Sequence, residues 1–117
     1  MKLLFVYNAD SGLTNALMDW GHKLVSPETY ACQLCKLTYG WAGMKTEWRA
    51  FVDALPHEVV FLHRDEFKQL FDWNVETPAV LTTEPLSVFL DAPTLNAVLT
   101  LKELIQLVEA RLDLAQT

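Results

Sequence analysis

Cysteine, basic residues and long apolar runs are all scarce in this sequence, and each shortage excludes a class of protein. Only two cysteines occur among 117 residues, which excludes a small scaffold stabilised by several disulfides. A chain of this length can bury one hydrophobic core without disulfides. Nine basic residues against fifteen acidic ones leave a net charge of -6. A field of that sign repels phosphate backbones, so we expect no nucleic-acid partner. Charges interrupt every apolar segment short of the roughly 20 residues of a membrane span, so we expect no membrane partner.

The first apolar run is short as well. It extends from Leu3 to Tyr7 and stops at Asn8, whereas the apolar region of a secretory signal has about 7 to 15 residues. We therefore predict no signal peptide and a cytoplasmic location. Apolar residues make up 51% of the chain and charged residues 21%, which is typical of a globular protein. No repeat, low-complexity tract or charged linker is visible, so we predict a single domain over residues 1–117.

Hydrophobic spacing predicts alternating strands and helices. Short continuous apolar runs closed by polar clusters indicate buried strands, and apolar residues three and four apart indicate helices. The predicted strands are Leu3–Tyr7, Val59–Leu62, Ala79–Leu81 and Ser87–Leu90. The predicted helices are Leu13 to about Val25, Cys32–Tyr39 stopped by Gly40, the stripe Trp48–Leu55, Phe67–Phe71, and a last helix that begins at the capping box of Thr100 and Glu103. Helical crossovers imply that the first two strands are parallel, and the brief turn at Glu84-Pro85 implies an antiparallel hairpin.

This order of elements resembles the thioredoxin-like fold, an α/β architecture. The resemblance implies a mixed sheet covered by helices, with parallel first strands and an antiparallel C-terminal hairpin. Thr77-Pro78 precedes the third strand, where thioredoxin-like proteins keep a cis-proline beside their active site, which marks Pro78 as a candidate binding residue. One feature departs from the thioredoxin pattern. In that family C-x-x-C directly follows the first strand, whereas residues 8–12 occupy the position here and the cysteines follow about twenty residues later.

A second resemblance covers most of residues 5–67. The strings that carry it are VYNADSG, HKLVSPETYACQLCKLTYG, GMKTEW and FLHRDEF, and they are similar to a small family of bacterial proteins with no established activity. Some members carry a GTPase label. The chain has nothing like the G-x-x-x-x-G-K-[ST] loop whose backbone amides cradle phosphates, so the label is not adopted.

Cys32 and Cys35 form the strongest candidate site. C-x-x-C spacing places two thiols on the same side of one helical turn, where a disulfide or two bonds to a metal are both geometrically allowed. If Cys32 begins a helix, nearby amides lower its thiol pKa and favour it as the nucleophile, with Cys35 as the resolving thiol. A protein thiol would then be the substrate. This hypothesis requires the two sulfurs to be neighbours that solvent can reach.

The same cysteines also suit a metal, and inert packing is the third alternative. His22 and His63 are the side chains that would complete a Cys2His2 set, for which zinc is the expected metal. Their spacing matches no zinc-finger pattern.

Polar residues follow the first two predicted strands and supply a candidate ligand-binding edge. Parallel pairing brings the carboxyl ends of the strands together, and ligands of open α/β sheets favour that edge. Asp10, Ser11 and Asp65 have an alternative role as helix caps. His63 beside Asp65 also suits a general base, but no G-x-S-x-G nucleophile accompanies it. The candidate binding residues are Asn8, Asp10, Ser11, His63 and Asp65, with Arg64 between the last two.

Four tryptophans leave a non-enzymatic interaction module open, including a homodimer. Trp48 lies in an apolar helical stripe and is predicted to be core. Trp41 and Trp73 are the two predicted to be exposed, where an apolar patch would indicate a protein partner. The sequence thus leaves three function classes open: thiol redox chemistry, metal binding and protein interaction.

Overall fold

The computed structural model describes residues 2–9, 32–40 and 43–115. The predicted helix from Leu13 to about Val25 lies outside these residues. The strands are β1 (Lys2–Tyr7), β2 (Tyr39–Gly40), β3 (Gly43–Met44), β4 (Glu58–His63), β5 (Ala79–Thr82) and β6 (Ser87–Leu90). The helices, numbered within the described residues, are α1 (Gln33–Thr38), α2 (Thr46–Ala54), α3 (Arg64–Phe71), α4 (Ala92–Asn96) and α5 (Leu101–Ala115).

Four strands form one mixed sheet in the order β4-β1-β5-β6. β1 and β4 are parallel, with Tyr7 opposite His63. β5 runs antiparallel to β1, with Val6 opposite Ala79, and β6 runs antiparallel to β5. The predicted α/β class and mixed sheet, with one parallel pair and an antiparallel C-terminal hairpin, are therefore confirmed.

Burial of β1 on both faces places the core on both sides of the sheet. Leu3, Phe5 and Tyr7 point to one face, and Leu4 and Val6 point to the other. The first face is covered by residues of α1, α2, α4 and α5, and the second by α3. A continuous apolar run needs such cover on both sides, as the sequence predicted.

Trp48 of α2 lies in the first of these two clusters. Its side chain is 0% exposed, as predicted for a core residue, and its ring meets Phe5 edge to face at a centroid distance of 5.5 Å. Trp73 is 38% exposed, also as predicted, and Trp41 lies outside the described residues.

The predicted cap of the last helix is present in a modified form. The Glu103 N–H donates to Thr100 Oγ1 at 3.1 Å, but the Glu103 carboxylate accepts from the Leu99 N–H rather than from that of Thr100.

Two elements of the described structure were not predicted from the sequence. One is the two-stranded ribbon β2-β3, and the other is α4, which Asp91 caps by accepting from the Thr94 N–H at 3.0 Å.

None of the described helices combines the length and apolarity needed to cross a bilayer.

Phe67 anchors α3 on the second face, and its truncation tests that packing. The side chain is 2% exposed, and its ring stacks on Phe71 at a centroid distance of 5.1 Å. We expect Phe67→Ala to lower the free energy of unfolding by about 3 to 5 kcal/mol, because it leaves a cavity. Urea unfolding measures the loss. Leu70→Ala on the same helix is the control, since Leu70 is 67% exposed, and its effect should be about 0.5 kcal/mol or less. Equal losses in the two variants would contradict this packing.

Candidate functional site

Cys32 and Cys35 are joined by a disulfide at the start of α1. Their Cα atoms are 5.3 Å apart, within the range that disulfides span. Cys32 is the residue before the first turn of the helix, and its backbone is not helical, with φ -132° and ψ 87°. Its sulfur accepts a hydrogen bond from the Cys35 N–H at 3.2 Å, and its carbonyl accepts one from the Lys36 N–H at 3.2 Å. The predictions that the two sulfurs are neighbours and that Cys32 begins a helix are confirmed, whereas the expectation that solvent reaches both cysteines is not met at Cys32, which is 2% exposed.

A hydrogen bond to the segment between α4 and α5 and the burial of its apolar side hold α1 in place. The Gln33 Nε2 donates to the Val98 carbonyl at 2.7 Å, and Leu34 is buried in the core. At the other end, the Thr38 hydroxyl donates to the Leu34 carbonyl at 2.7 Å. The prediction that Gly40 stops the helix is wrong. The helix ends one residue earlier, because the backbone of Tyr39 is extended and pairs with Met44. The disulfide therefore lies at the N-terminus of a helix whose apolar side is part of the core.

The two cysteines differ in exposure. Cys32 is 2% exposed and belongs to the core, whereas Cys35 is only partly buried and packs against that core. The disulfide thus lies at the boundary between core and surface, and Cys35 is its outer residue.

The ends of β1 and β4 meet, as the sequence predicted. We call Asn8, His63, Arg64 and Thr77 the polar strand edge. The Asn8 Oδ1 accepts hydrogen bonds from the Thr77 hydroxyl at 2.8 Å and from the Arg64 guanidinium at 3.3 Å, and the Arg64 N–H donates to the Ala9 carbonyl at 3.2 Å. These bonds connect β1 to the segments that follow β4 and precede β5. The Thr77-Pro78 bond is cis, and Pro78 is buried.

His63 and Glu66 cap α3 together, a role that the sequence assigned to Asp65. The His63 N–H donates to the Glu66 Oε1 at 2.8 Å, and the imidazole Nδ1 contacts the same oxygen. These two hydrogen bonds, the backbone one first, lower the pKa of Glu66 from its ordinary value. Asp65 lies in the first turn of α3 rather than at the cap. The carboxylate that orients His63 is therefore that of Glu66, which sequence reasoning missed because histidine is not among the preferred cap residues.

An open groove of about 320 Å³ lies beside the polar strand edge. Asp65 and Thr77 line it, with the charged side chains of Arg64 and Lys68 and the indole of Trp73. Charges of both signs face this groove, and a ligand role for Asn8, His63, Asp65 or Pro78 stays a prediction.

Tyr7 lies between the polar strand edge and α1. Its ring is 6.1 Å from that of His63 and 5.6 Å from that of Tyr39, which directly follows α1. Burial raises the pKa of Tyr7 well above its usual value, and the neighbouring Tyr39 adds to the rise. The phenol is therefore neutral at physiological pH, and Tyr7 serves as an aromatic contact between the two regions.

The predicted metal set is not assembled within residues 2–9, 32–40 and 43–115. No group of three or more His, Cys, Asp or Glu side chains suited to a metal occurs among these residues. His63 is paired with Glu66, and both thiols are in the disulfide. Asp10, Ser11 and His22 lie outside the described residues.

Glu66→Gln tests the cap and its pH dependence. Because the folded-state pKa of Glu66 is lowered, the carboxylate stabilises the fold above the unfolded-state pKa, about 4.3, and this contribution is lost as the pH falls through the lower folded-state value. We expect the variant to lose about 0.5 to 1 kcal/mol at pH 7, a small effect because the side chain is 43% exposed. The difference from wild type should shrink as the pH falls below about 4.

Urea unfolding at several pH values measures this difference. Glu109→Gln, at an exposed position of α5, controls for the change in net charge. A stability difference that grows on acidification would contradict the assignment.

Comparisons of the chain with protein-family models, with curated proteins and with solved structures found no match. No activity is therefore transferred from a relative. The function is inferred from the described side chains and from their arrangement on the sheet.

Proposed function

We propose that this protein is a thiol–disulfide exchange protein with a thioredoxin-like fold, active through Cys32 and Cys35. The observation that carries the proposal is a disulfide within C-x-x-C, closed between the cap residue and the first turn of α1, with Cys35 partly exposed. Thiol–disulfide exchange needs a sulfur that a second thiolate can approach and a leaving thiolate that its surroundings stabilise. Both requirements have a counterpart in this pair.

The sheet supports the thioredoxin-like part of the proposal. The order β4-β1-β5-β6, with one parallel and two antiparallel pairings, is the order expected of that fold for strands two, one, three and four. Pro78 precedes β5 at the position of the thioredoxin-like proline. The cysteines are separated from β1 by more chain than in thioredoxins, so we assign the chemistry to the pair itself rather than to a match of the whole motif.

The size of the closed loop favours a redox role over a structural one. A disulfide stabilises a fold mainly by restricting the unfolded chain, and its contribution grows with the length of the loop. Cys32 and Cys35 are only three positions apart, for which the expected contribution is about 2 kcal/mol. The core already includes residues on both faces of the sheet, so this disulfide can open and close while the domain stays folded.

Equilibration with glutathione tests the proposed chemistry. We expect the native protein to pass reversibly between disulfide and dithiol in mixtures of reduced and oxidised glutathione, because Cys35 is partly exposed and the loop is short. Acid quenching, alkylation and intact mass measure the oxidised fraction, and the two cysteines are the only ones in the chain. The oxidised protein should react with no alkylating agent, and the reduced protein should gain one alkyl group at each of its two cysteines.

Cys32→Ser and Cys35→Ser are the controls, and neither should show the two-thiol transition. The wild type should also speed the reduction of a disulfide-bonded test protein by dithiothreitol, and neither variant should do so. A disulfide that forms or breaks only in denaturant would refute the proposal. A stoichiometric metal in protein purified without chelator would replace it with metal binding.

The stability of the reduced protein separates a redox pair from a structural staple. We expect reduction to lower the free energy of unfolding by about 2 kcal/mol and to leave the folded state intact. Urea unfolding with and without reductant, followed by circular dichroism, measures the loss. The Cys32→Ser/Cys35→Ser double variant is the control, since reductant should not change its stability. Unfolding of the protein upon reduction alone would indicate a staple.

A further inference from the structure

We propose that Cys35 is the sulfur that exchanges with external thiols and that Cys32 is the resolving sulfur. This inference rests on the proposed function and adds the direction of the exchange. The sequence alone favours the opposite order, because Cys32 precedes the helix.

Access to the disulfide is the first argument. An incoming thiolate must approach a sulfur from the side opposite the bond that breaks, so exchange takes place at the sulfur with open space on that side. Cys32 is 2% exposed and packs in the core with Leu34 and Trp48, whereas Cys35 is partly exposed at the edge of that core. Attack on Cys35 therefore displaces less of the core than attack on Cys32.

The second argument is the stabilisation of the leaving group. When Cys35 is attacked, the electron pair of the broken bond goes to Cys32 Sγ. That sulfur already accepts a hydrogen bond from the Cys35 N–H at 3.2 Å. Hydrogen bonds to a charged acceptor are stronger than those to a neutral one, so this bond strengthens as the thiolate forms. A leaving thiol with a stabilised thiolate departs faster.

The complete step balances without a further oxidant. A thiolate R–S⁻, from a small thiol or a protein cysteine, attacks Cys35 Sγ. The R–S–Sγ bond forms, the Cys32–Cys35 bond breaks, and Cys32 leaves as a thiolate. In the reverse direction the Cys32 thiolate attacks Cys35 Sγ of the mixed disulfide and releases R–S⁻. A second thiolate R–S⁻ that attacks the R sulfur of the mixed disulfide releases the Cys35 thiolate, and the partner leaves oxidised as R–S–S–R. In the opposite direction the Cys35 thiolate attacks R–S–S–R and releases one R–S⁻, and the Cys32 thiolate then releases the second, so that the partner disulfide is reduced. In both directions Cys35 carries the mixed disulfide.

Single-cysteine variants test this order directly. Cys32→Ser retains the outer thiol and keeps an oxygen acceptor at the cap position, while Cys35→Ser retains the inner thiol. We expect the thiol of folded Cys32→Ser to react with Ellman's reagent at least about tenfold faster than that of Cys35→Ser, because thiol reactivity follows access. With oxidised glutathione, Cys32→Ser should accumulate the mixed disulfide and Cys35→Ser should not. In denaturant the two variants should react with Ellman's reagent at similar rates. The difference between their rates without denaturant would then be due to the fold.

A measurement on the wild type covers the case in which a variant fails to fold. The reduced, folded protein is treated with less than one equivalent of iodoacetamide, and the peptide that ends at Lys36 is sequenced by fragment-ion mass spectrometry. Cys35 should carry most of the label. Equal labelling, or preferential labelling of Cys32, overturns the inference. A wild type that exchanges reversibly with glutathione but labels at Cys32 refutes only the order of the sulfurs, whereas a wild type that does not exchange refutes the proposed function.

Discussion

The burial of β1 on both faces and along both edges is the constraint on which the rest of the described structure depends. Every residue from Leu3 to Tyr7 is 3% exposed or less. An apolar strand of this kind needs hydrogen-bonding neighbours on each side and apolar cover above and below. β4 and β5 provide the neighbours, and helices provide the cover on each face. The carboxyl end of β1 is thereby brought against the end of β4 and the start of β5.

That convergence explains why the polar residues at the strand ends are bonded to one another. Asn8 accepts hydrogen bonds from Arg64 and Thr77, and the pair of His63 and Glu66 begins α3 at the last residue of β4. These contacts connect strand ends and cap a helix, so they contribute to the fold whether or not a ligand binds in the adjacent groove.

The disulfide combines two environments within one helical turn. Cys32 is buried and caps α1, and Cys35 lies at the margin of the same core. The short loop limits how much the bond stabilises the fold, and Cys35 is the more exposed of the two residues. These two properties are the basis on which we propose reversible chemistry rather than permanent cross-linking. The backbone N–H of Cys35 donates a hydrogen bond to the sulfur of Cys32.

Much of the architecture within the described residues was predictable because it depends on local patterns. Apolar runs predicted the four main strands to within one or two residues, and the parallel pair followed from the helical crossover. The spacing of the two cysteines predicted that their sulfurs would be adjacent. The stripe around Trp48 predicted a core position, since helical periodicity reports which side chains share a face.

The tertiary structure decided what depends on residues far apart in the chain. Helix α1 ends before Tyr39 because Tyr39 pairs with Met44 in the β2-β3 ribbon, and not because Gly40 stops the helix. Glu66 caps α3 because the fold brings its carboxylate to the backbone N–H of His63. Cys32 is buried and Cys35 is partly exposed, a difference that no spacing between two cysteines encodes. The sequence by itself therefore determined that a thiol pair exists and that its sulfurs are close. Only the packed core decided which of the two cysteines is the more exposed, because exposure is a property of all the neighbours together.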